Sequence, residues 1–282
     1  MRLKRRKKQQ QKKKRRKNNK LFLSIPTFIW DPKMGKIKAL ILCGGTGTRL
    51  RPITYYFQKT MIPIGSKQKP LLEYVVRLLR FHKVTDEAFL VNYKGEQIKN
   101  YFDEGTRFDV KISYVQDDPA LKGTGGAVLN AFRKGVIDSD DTIIVYYGDI
   151  LTNMNLQRML HAHQRRKASV TVALASGFAV RVGVAELDND GKIKGFEEKP
   201  VLEKPVSIGI LALDGSILAT MARLVRKDRE LDLMRDVIPH LIRKGNLVYG
   251  FLASSFWYDV GSTEAYEKLD PKIVDKTMSF LF

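Results

Sequence analysis

A regular alternation of short apolar runs with amphipathic stretches over residues 36–150 is the feature that most constrains the fold. Four runs have the length and composition of buried strands: Lys36 to Cys43, Glu87 to Val91, Lys111 to Val115 and Thr142 to Tyr147. The stretches between them have the character of helices: Leu71 to Phe81, Glu96 to Phe102 and Ala127 to Phe132. Strands that alternate with helices predict a parallel sheet covered by helices on both faces, the Rossmann-like three-layer arrangement of α/β proteins.

The second half of the chain follows a different pattern. Strands are predicted at Ser169 to Leu174, Gly183 to Leu187, Lys192 to Phe196, Ser207 to Leu213 and Asn246 to Leu252. Helices are predicted at Leu231 to Arg243 and Thr263 to Leu269. No linker-like stretch interrupts the chain after residue 33, so residues 34–282 are predicted to form one α/β domain with a mixed, mostly parallel central sheet.

The strongly basic charge is concentrated at the N-terminus. The formal net charge is +20, and residues 1–20 carry thirteen Lys or Arg and no acid, which leaves about +7 for the chain from Met34 onward. A block of this composition is disordered or solvated in isolation. We expect residues 1–33 to be an extension that precedes a natural start at Met34; an RNA- or membrane-binding arm and a solvated tail without a function are the alternatives. The mild charge of the rest suits an enzyme for phosphorylated substrates as well as a nucleic-acid binder. Because this part of the sequence contains no recognised nucleic-acid-binding module, nucleic acid is not the expected partner.

The chain has a single cysteine, Cys43, so no intrachain disulfide can form, and a buried, unreactive thiol is expected. No apolar run approaches the roughly 20 residues that span a bilayer, so no membrane partner is expected. The apolar stretch Leu21 to Trp30 is broken by Pro26 and lacks a small-residue cleavage site, which favours a cytoplasmic location over a secreted one. The sequence leaves a homo-oligomer open.

The segment Leu42 to Thr54 is rich in glycine and leaves the end of the first predicted strand. Open α/β sheets bind ligands at this edge, and glycines let backbone N–H groups approach phosphate oxygens. Arg49 and Arg51 can add charge-assisted contacts. The segment matches neither the dinucleotide-binding pattern G-x-G-x-x-G nor the P-loop. Spacing alone leaves open a tight turn with an incidental arginine.

The same segment resembles the G-x-G-T-R-L-x-P-x-T signature of the sugar-1-phosphate nucleotidyltransferases, and the resemblance runs from about Lys36 to about Tyr266. Cys43 stands where that family usually has Ala. The resemblance implies a fold of the nucleotide-diphospho-sugar transferase type and a two-substrate site for an NTP and a sugar 1-phosphate. It assigns Arg49 to catalysis and the following residues to the nucleotide: Leu42, Gly44, Gly45, Gly47 and Thr48.

Two further segments resemble nucleotide contacts of the family. Lys59 lies in a segment similar to Pro-Lys-x-x-x-Pro, whose Lys contacts the NTP phosphates, but Gln58 replaces the Pro. Gly123 and Thr124 lie in a Gly-Thr-Gly-Gly-Ala stretch that, with Gln116 upstream, implies a site for the base. Gln116 favours a pyrimidine, as in the uridylyl- and thymidylyltransferases. The Gly-Thr-Gly-Gly-Ala sequence itself is more similar to guanylyltransferases of mannose or heptose 1-phosphate.

The resemblance also implies a metal site and a sugar-phosphate site. Asp149 and Asp259 match the family's Mg²⁺-binding aspartates, and Mg²⁺ prefers carboxylate and phosphate oxygens. The expected sugar-phosphate residues are Gly183, Glu198, Lys199 and Gly209, of which Lys199 is also expected to be catalytic. Ser207 replaces an Asn that usually begins the last of these segments.

These observations predict an enzyme that transfers a nucleotidyl group from an NTP to a sugar 1-phosphate with Mg²⁺, releasing pyrophosphate. UTP or dTTP with glucose 1-phosphate is the favoured pair. A GTP-dependent mannose- or heptose-1-phosphate guanylyltransferase is the alternative within the enzyme class. A catalytically silent regulatory subunit of such an enzyme is the alternative outside it.

Overall fold

The computed structural model describes residues 36–180, 182–202 and 204–282. The predicted N-terminal extension, residues 1–33, and the expected start at Met34 lie outside the described residues. The strands are β1 (Ile37–Leu42), β2 (Pro63–Ile64), β3 (Lys69–Pro70), β4 (Asp86–Val91), β5 (Lys111–Gln116), β6 (Thr142–Tyr147), β7 (Ile150–Thr152), β8 (Val170–Ala175), β9 (Phe178–Ala179), β10 (Val184–Leu187), β11 (Ile193–Glu197), β12 (Val201–Leu202), β13 (Val206–Asp214), β14 (Val248–Leu252) and β15 (Trp257–Asp259).

The helices cover the gaps between the longer strands. They are α1 (Leu71–Phe81), α2 (Gly95–Phe102), α3 (Gly123–Arg133), α4 (Leu156–Arg165), α5 (Leu218–Ala222), a π-helical turn (Leu233–Val237) that continues into α6 (Ile238–Arg243), α7 (Thr263–Lys268) and α8 (Pro271–Met278). Among the described helices, none is both long and apolar enough to cross a membrane.

A seven-stranded sheet in the order β14-β8-β13-β6-β1-β4-β5 is the centre of the described chain. The pairs β1–β4, β1–β6, β4–β5 and β14–β8 are parallel, whereas β13 runs antiparallel to both of its neighbours. This arrangement confirms the predicted mixed, mostly parallel sheet. It also places the carboxyl ends of β1, β4, β5 and β6 at one edge, where the segments after these strands meet.

Helices cover both faces of this sheet, so the core has two halves. One apolar cluster joins a sheet face to residues of α1, α2, α4 and α8, among them Leu72, Ile98, Met159 and Val274. A second joins the opposite face to α3, α5 and the π–α6 segment, among them Val128, Met221, Val237 and Leu241. Alternate residues of each strand point to opposite faces, as Leu40 and Ile41 do, and the three-layer prediction is confirmed.

The ends of two predicted helices needed correction. The helix predicted from Ala127 begins at Gly123, because the Leu231 carbonyl accepts hydrogen bonds from the N–H groups of Gly125 (2.8 Å) and Gly126 (3.3 Å). The helix predicted from Leu231 begins at Leu233, because the Asp232 side chain caps it by accepting from Met234 and Arg235. No bounds were predicted for α4, α5 and α8, or for the short strands β2, β3, β7, β9, β12 and β15.

Candidate active site

The glycine-rich segment lies at the carboxyl edge of the central sheet, directly after β1. Gly47 has a left-handed backbone (φ 64°), which a residue with a side chain adopts only at a cost, and its carbonyl accepts the Thr54 hydroxyl at 2.8 Å. A β-carbon at Gly45 would meet no atom within 4 Å. Thr48 and Arg49 are exposed. The segment is therefore an ordered loop whose backbone is open to solvent at Gly45.

Lys59 is held beside this loop by a short turn and an ion pair. It begins a 3₁₀ turn (Lys59–Met61), and its Nζ donates to Asp149 Oδ2. The two side chains are 16% and 17% exposed, so the pair is shielded from solvent but still reachable. The structure thus brings together two residues that the sequence placed 90 positions apart in separate motifs.

Gln58, the residue that replaces the family's proline, is completely buried and organises the Lys59 turn. Its Oε1 accepts hydrogen bonds from the Thr60 N–H and hydroxyl, both at 2.6 Å, and its Nε2 donates to the Cys43 carbonyl. Its own N–H donates to Gln97 Oε1 at 2.6 Å. Gln58 therefore ties the Lys59 turn to the end of β1, a role that sequence reasoning missed.

Cys43 is buried beside that turn, as expected. Burial raises the pKa of its thiol, with smaller contributions from nearby carboxylates, so the thiol stays protonated.

The second predicted metal ligand, Asp259, is brought beside Asp149 by strand pairing. In the β7–β15 ladder Asp259 lies opposite Ile150, and the Val260 N–H donates to the Asp149 carbonyl at 3.0 Å. Neither short strand was predicted, because three-residue strands carry too little pattern to be recognised. The pairing places the two aspartates at neighbouring backbone positions although 110 residues separate them.

Arg49 lies near Asp259, across Gly261. A β-carbon on Gly261 would lie 2.5 Å from Asp259 Oδ1 and 3.2 Å from Arg49 Nη2, so a side chain here would displace the ends of these two side chains. The Thr263 hydroxyl lies 3.3 Å from the carbonyl oxygens of both Arg49 and Arg51. The segment after β15 therefore fixes the far end of the glycine-rich loop.

The residues predicted to read the base lie at the ends of β5 and α3. Gln116 ends β5 with an exposed side chain, while its carbonyl accepts from Asn130 Nδ2 (2.9 Å) and Lys134 Nζ (3.0 Å). Thr124 is engaged by the protein itself: its hydroxyl donates to Asp232 Oδ2 at 3.0 Å and accepts from the Leu233 N–H at 2.8 Å. A β-carbon on Gly123 would clash with the Leu231 carbonyl at 2.6 Å. The backbone of Leu231 and Leu233 therefore packs against Gly123 and Thr124 and covers part of the predicted base site.

Asp117 is a polar residue of this edge that was not among the predicted site residues. It follows β5 directly, and its Oδ2 would lie 2.4 Å from a β-carbon on Gly44, so it rests against the glycine-rich loop. Burial raises the pKa of its carboxyl, while a hydrogen bond with Asn92 and the charge of Lys134 act in the opposite direction. The signal that could have found it is its position, since residues that follow parallel strands meet at one edge.

The sugar-phosphate residues fall into two places. Gly209 (φ 74°) lies in the irregular part of β13, where a β-carbon would lie 3.1 Å from Ile150 Cγ1 and 3.2 Å from Tyr147 Cβ, next to the Asp149 turn. Gly183 and Glu198 meet at the β10–β11 hairpin, and Lys199 Nζ lies 3.6 Å from Glu198 Oε1. Within the described residues, neither Glu198 nor Lys199 bonds to Arg49, Lys59 or Asp149.

The donor set at the Asp149–Asp259 pair fits Mg²⁺. Mg²⁺ in proteins is held by one or two carboxylates together with substrate phosphates, and these two aspartates are hard oxygen donors next to the glycine-rich loop. In the described part of the chain, no group of three or more His, Cys, Asp or Glu side chains is placed to hold a metal ion.

Comparison with known proteins gives relatives along most of the chain. It is 32% identical over 244 residues to a UTP–glucose-1-phosphate uridylyltransferase of Synechocystis sp., covering 82% of this chain and 61% of that protein. It is 28% identical over 237 residues to a mannose-1-phosphate guanylyltransferase of Mycobacterium tuberculosis, covering 82% and 63%. The chain thus spans about six tenths of the length of these relatives.

Solved structures and a family profile extend the comparison. A Bacillus anthracis protein with the provisional name glucose-1-phosphate thymidylyltransferase superposes with a TM-score of 0.67 at 24% identity, covering 85% of this chain and 96% of that one, so the fold is shared. The profile of the family described as nucleotidyl transferase matches residues 38–276. On this match and on the identities above, the chain belongs to the nucleotidyl transferase family.

Proposed function

We propose that the protein transfers a nucleotidyl group from an NTP to a sugar 1-phosphate with Mg²⁺, releasing pyrophosphate. The observation that carries this proposal is the juxtaposition, at one sheet edge, of the glycine-rich loop, the Lys59–Asp149 ion pair and Asp259. A phosphate cradle, a cation and two carboxylates are the groups that phosphoryl-type transfer needs, because that chemistry depends on positioning and charge neutralisation.

The chain's own groups have defined tasks in this reaction. The loop from Gly44 to Gly47 binds the NTP phosphates through backbone N–H groups, and Arg49 and Lys59 neutralise charge on the departing pyrophosphate. A phosphate oxygen of the sugar 1-phosphate attacks the α-phosphorus of the NTP. The bond between the α-phosphorus and the oxygen that bridges it to the β-phosphate breaks, and its electron pair stays on this oxygen as pyrophosphate leaves. From the β10–β11 hairpin, Lys199 binds the phosphate of the sugar 1-phosphate and Glu198 binds its sugar hydroxyls, and Gly183 and Gly209 leave room for the sugar.

Asp149 and Asp259 would hold Mg²⁺, which when bound supplies charge neutralisation to the phosphates. Lys59 meanwhile orients Asp149 through their ion pair. The side chains therefore act as a binding and positioning frame, and no covalent nucleophile is required.

The favoured substrates are UTP or dTTP with glucose 1-phosphate. Gln116 presents an exposed amide at the end of β5, and an amide can pair with uracil or thymine. The relative with 32% identity is a UTP–glucose-1-phosphate uridylyltransferase by name.

GTP with mannose or heptose 1-phosphate is the second candidate. The Gly123 to Ala127 stretch favours it, and the relative with 28% identity is a mannose-1-phosphate guanylyltransferase by name. An amide can also pair with guanine, so Gln116 is compatible with either base.

A matrix of five NTPs against several sugar 1-phosphates, read as pyrophosphate release with Mg²⁺, tests both candidates. We expect the highest rate with UTP or dTTP and glucose 1-phosphate. A maximum with GTP would shift the proposal to the guanylyl alternative, and silence in every combination would favour a non-catalytic regulatory subunit.

A further inference from the structure

A second cationic site lies outside the glycine-rich loop and the Lys59–Asp149 pair. Ten residues line a surface cavity of about 320 Å³ formed by the end of α5, the following turn, the π-helical segment and α6, and five of them are arginines: Arg223, Arg226, Arg229, Arg235 and Arg243. The lining also includes His240 and two acids, Glu230 and Asp236. With His240 neutral, the formal charge of the lining is +3. We call this cavity the arginine pocket.

The two carboxylates in the lining do not neutralise the pocket. Asp236 is already shared by two arginines, at 2.7 Å from Arg229 Nη2 and 3.1 Å from Arg235 Nη2. Hydrogen bonds from Arg235 and from the Asp232 N–H, with the charge of Arg229, hold the pKa of its carboxyl below the usual range. Arg223, Arg226 and Arg243 form no ion pair with any described residue. Three guanidinium groups are therefore available around one concavity, and their like charges favour the binding of an anion there.

The backbone of the pocket holds part of this charge in place. Arg226 and Arg229 face each other in an isolated antiparallel bridge across a two-residue turn, and Arg235 Nη2 donates to the Glu230 carbonyl at 3.2 Å. The rim that carries Arg229 and Arg235 is thus fixed by hydrogen bonds, which lowers the entropy lost when a ligand binds.

The size and shape of the pocket select a class of ligand. A volume of about 320 Å³ lies at the lower end of the range for small-molecule sites, and planar guanidinium groups bind phosphate oxygens in pairs. A nucleic acid would instead need a longer basic groove that follows its backbone. We propose that the arginine pocket binds a small metabolite with two or more phosphate groups, at a site separate from the glycine-rich loop.

The pocket shares a wall with the segment predicted to bind the base. Leu231 lines the pocket, and its carbonyl accepts from Gly125 at the start of α3. The next residue, Asp232, accepts the Thr124 hydroxyl, and its N–H donates to Asp236 Oδ2 at 2.9 Å. An anion that draws Arg229 and Arg235 from Asp236 acts on this chain of contacts, so binding in the pocket changes the affinity for the NTP. This second part rests on the proposed function, whereas binding in the pocket does not.

Direct binding to the full chain tests the first part. The probe is fructose 1,6-bisphosphate, with fructose 6-phosphate as the singly phosphorylated comparison and a 12-nucleotide RNA as the macromolecular one, all measured by isothermal titration calorimetry at fixed ionic strength. We expect one site that prefers fructose 1,6-bisphosphate at least tenfold over fructose 6-phosphate. Equal affinity for the two small probes, or a preference for the RNA that Arg226→Gln/Arg243→Gln abolishes, would overturn the proposal.

Variants locate the site and separate it from the active site. The double variant Arg226→Gln/Arg243→Gln removes two arginines that make no ion pair in the described chain, so it should fold normally and lose at least tenfold in probe affinity. Arg165→Gln, an exposed arginine on α4 at the opposite face of the sheet, is the matched control and should bind as the wild type does. Lys59→Ala should keep probe binding. Loss of binding in Lys59→Ala but not in the double variant would assign the probe to the active site.

The coupling is measured as the Kd of UTP, or of the preferred NTP from the substrate matrix, with and without saturating fructose 1,6-bisphosphate. We expect a shift of threefold or more in the wild type and none in the double variant. An unchanged Kd in the wild type would refute the coupling. Whether the arginine pocket binds the probe at all is still decided by the calorimetry without NTP. If no NTP binds at all, the proposed function fails independently of both results.

Discussion

Gln58 shows at the scale of a residue how this chain departs from its family without losing the local structure. Its backbone (φ −63°, ψ 141°) is one that proline adopts, so the position keeps the conformation expected of the family's Pro-Lys segment. The glutamine adds what proline lacks, namely an N–H for Gln97 and a side chain for Thr60 and the Cys43 carbonyl. Gln58 departs from the family motif in the sequence, but in the structure its hydrogen bonds hold the same turn.

Restoring the family's residue with Gln58→Pro is predicted to destabilise this protein, because the buried Cys43 carbonyl, the Thr60 hydroxyl and Gln97 lose their partners. The expected loss is about 1–3 kcal/mol of unfolding free energy, measured by urea denaturation. Turnover should fall several-fold more than KM rises, since Lys59 is displaced. Gln164→Ala, on α4, is the control, and a Gln58→Pro protein as stable as that control would contradict the role assigned to Gln58.

Glu87 is a second residue whose environment leads to a prediction. It lies fully buried in β4, and neither carboxylate oxygen has a hydrogen-bond partner in the described structure. Burial raises the pKa of this carboxyl well above its usual value, with a smaller contribution from Asp86, so the folded state holds a proton that the unfolded state releases as pH rises. Glu87 therefore lowers the free energy of unfolding once the pH exceeds 4.5, the pKa of the unfolded state, and the loss grows as the pH rises to neutral.

Glu87→Gln cannot ionise, so it should raise the melting temperature at pH 7.5 by several degrees and leave it nearly unchanged at pH 4, where wild-type Glu87 is protonated in both states. Thermal unfolding at the two pH values gives the comparison, and Glu96→Gln on the surface of α2 is the control. An equal shift at both pH values would show that ionisation of Glu87 is not the cause.

At the scale of elements, the site is built from ends of strands and from one pairing that the sequence conceals. Strands β1, β4, β5 and β6 were predicted because buried strands are continuously apolar, and their common direction fixes where Gly44, Asp117 and Gly148 meet. The β7–β15 pairing that brings Asp259 to Asp149 could not be predicted, since it joins two three-residue strands far apart in the chain. Only the family resemblance paired these aspartates beforehand.

The start of α3 shows why propensity misplaces some boundaries. The glycines at Gly123, Gly125 and Gly126 argue against a helix by local preference, which moved the predicted start to Ala127. The Leu231 backbone packs against these positions and satisfies their N–H groups, and a β-carbon on Gly126 would lie 2.3 Å from the Leu121 carbonyl. The contact with Leu231 thus overrides the local preference of the glycines, and it cannot be predicted from the sequence of residues 123–127 alone.

The glycine-rich loop yields a prediction of its own at Gly45. No atom lies within 4 Å of a β-carbon added there, and its φ is compatible with alanine, so Gly45→Ala should fold with an unchanged melting temperature. If NTP phosphates approach this backbone, the added methyl should raise KM for the NTP about tenfold or more (about 1.4 kcal/mol). Gly195→Ala in the exposed β11 is the control, and an unchanged KM would remove Gly45 from the nucleotide site.

At the scale of the whole molecule, two buried histidines tie stability to pH. Burial lowers the pKa of both His82 and His163 to about 4, against 6.5 when exposed, and weaker partners, the Met154 carbonyl and Asp214, only partly oppose it. Between these values the unfolded state binds more protons, so stability falls as pH drops from 6.5 to 4. Each histidine lowers the free energy of unfolding by ~3 kcal/mol as the pH falls across that window.

His82→Gln keeps a donor for the Met154 carbonyl but has no titration, so it should remove roughly half of the histidine-dependent loss of stability between pH 6.5 and pH 4. Urea unfolding at half-unit pH steps measures the slope, and His161→Gln on the exposed side of α4 is the control. A slope identical to that of the wild type would mean that His82 does not titrate as described.

The central claim is that the joined Gly-rich loop, Lys59–Asp149 pair and Asp259 perform nucleotidyl transfer to a sugar 1-phosphate. The most direct measurement is pyrophosphate release with Mg²⁺ by the wild type and by Asp149→Asn, an isosteric change that keeps a partner for Lys59 but removes the charge, with Asp140→Asn on an exposed turn as control. We predict release that depends on both substrates, a loss of 100-fold or more in kcat for Asp149→Asn (about 2.7 kcal/mol), and wild-type rates for Asp140→Asn, at equal melting temperatures. Release by Asp149→Asn at near wild-type rates would contradict the account.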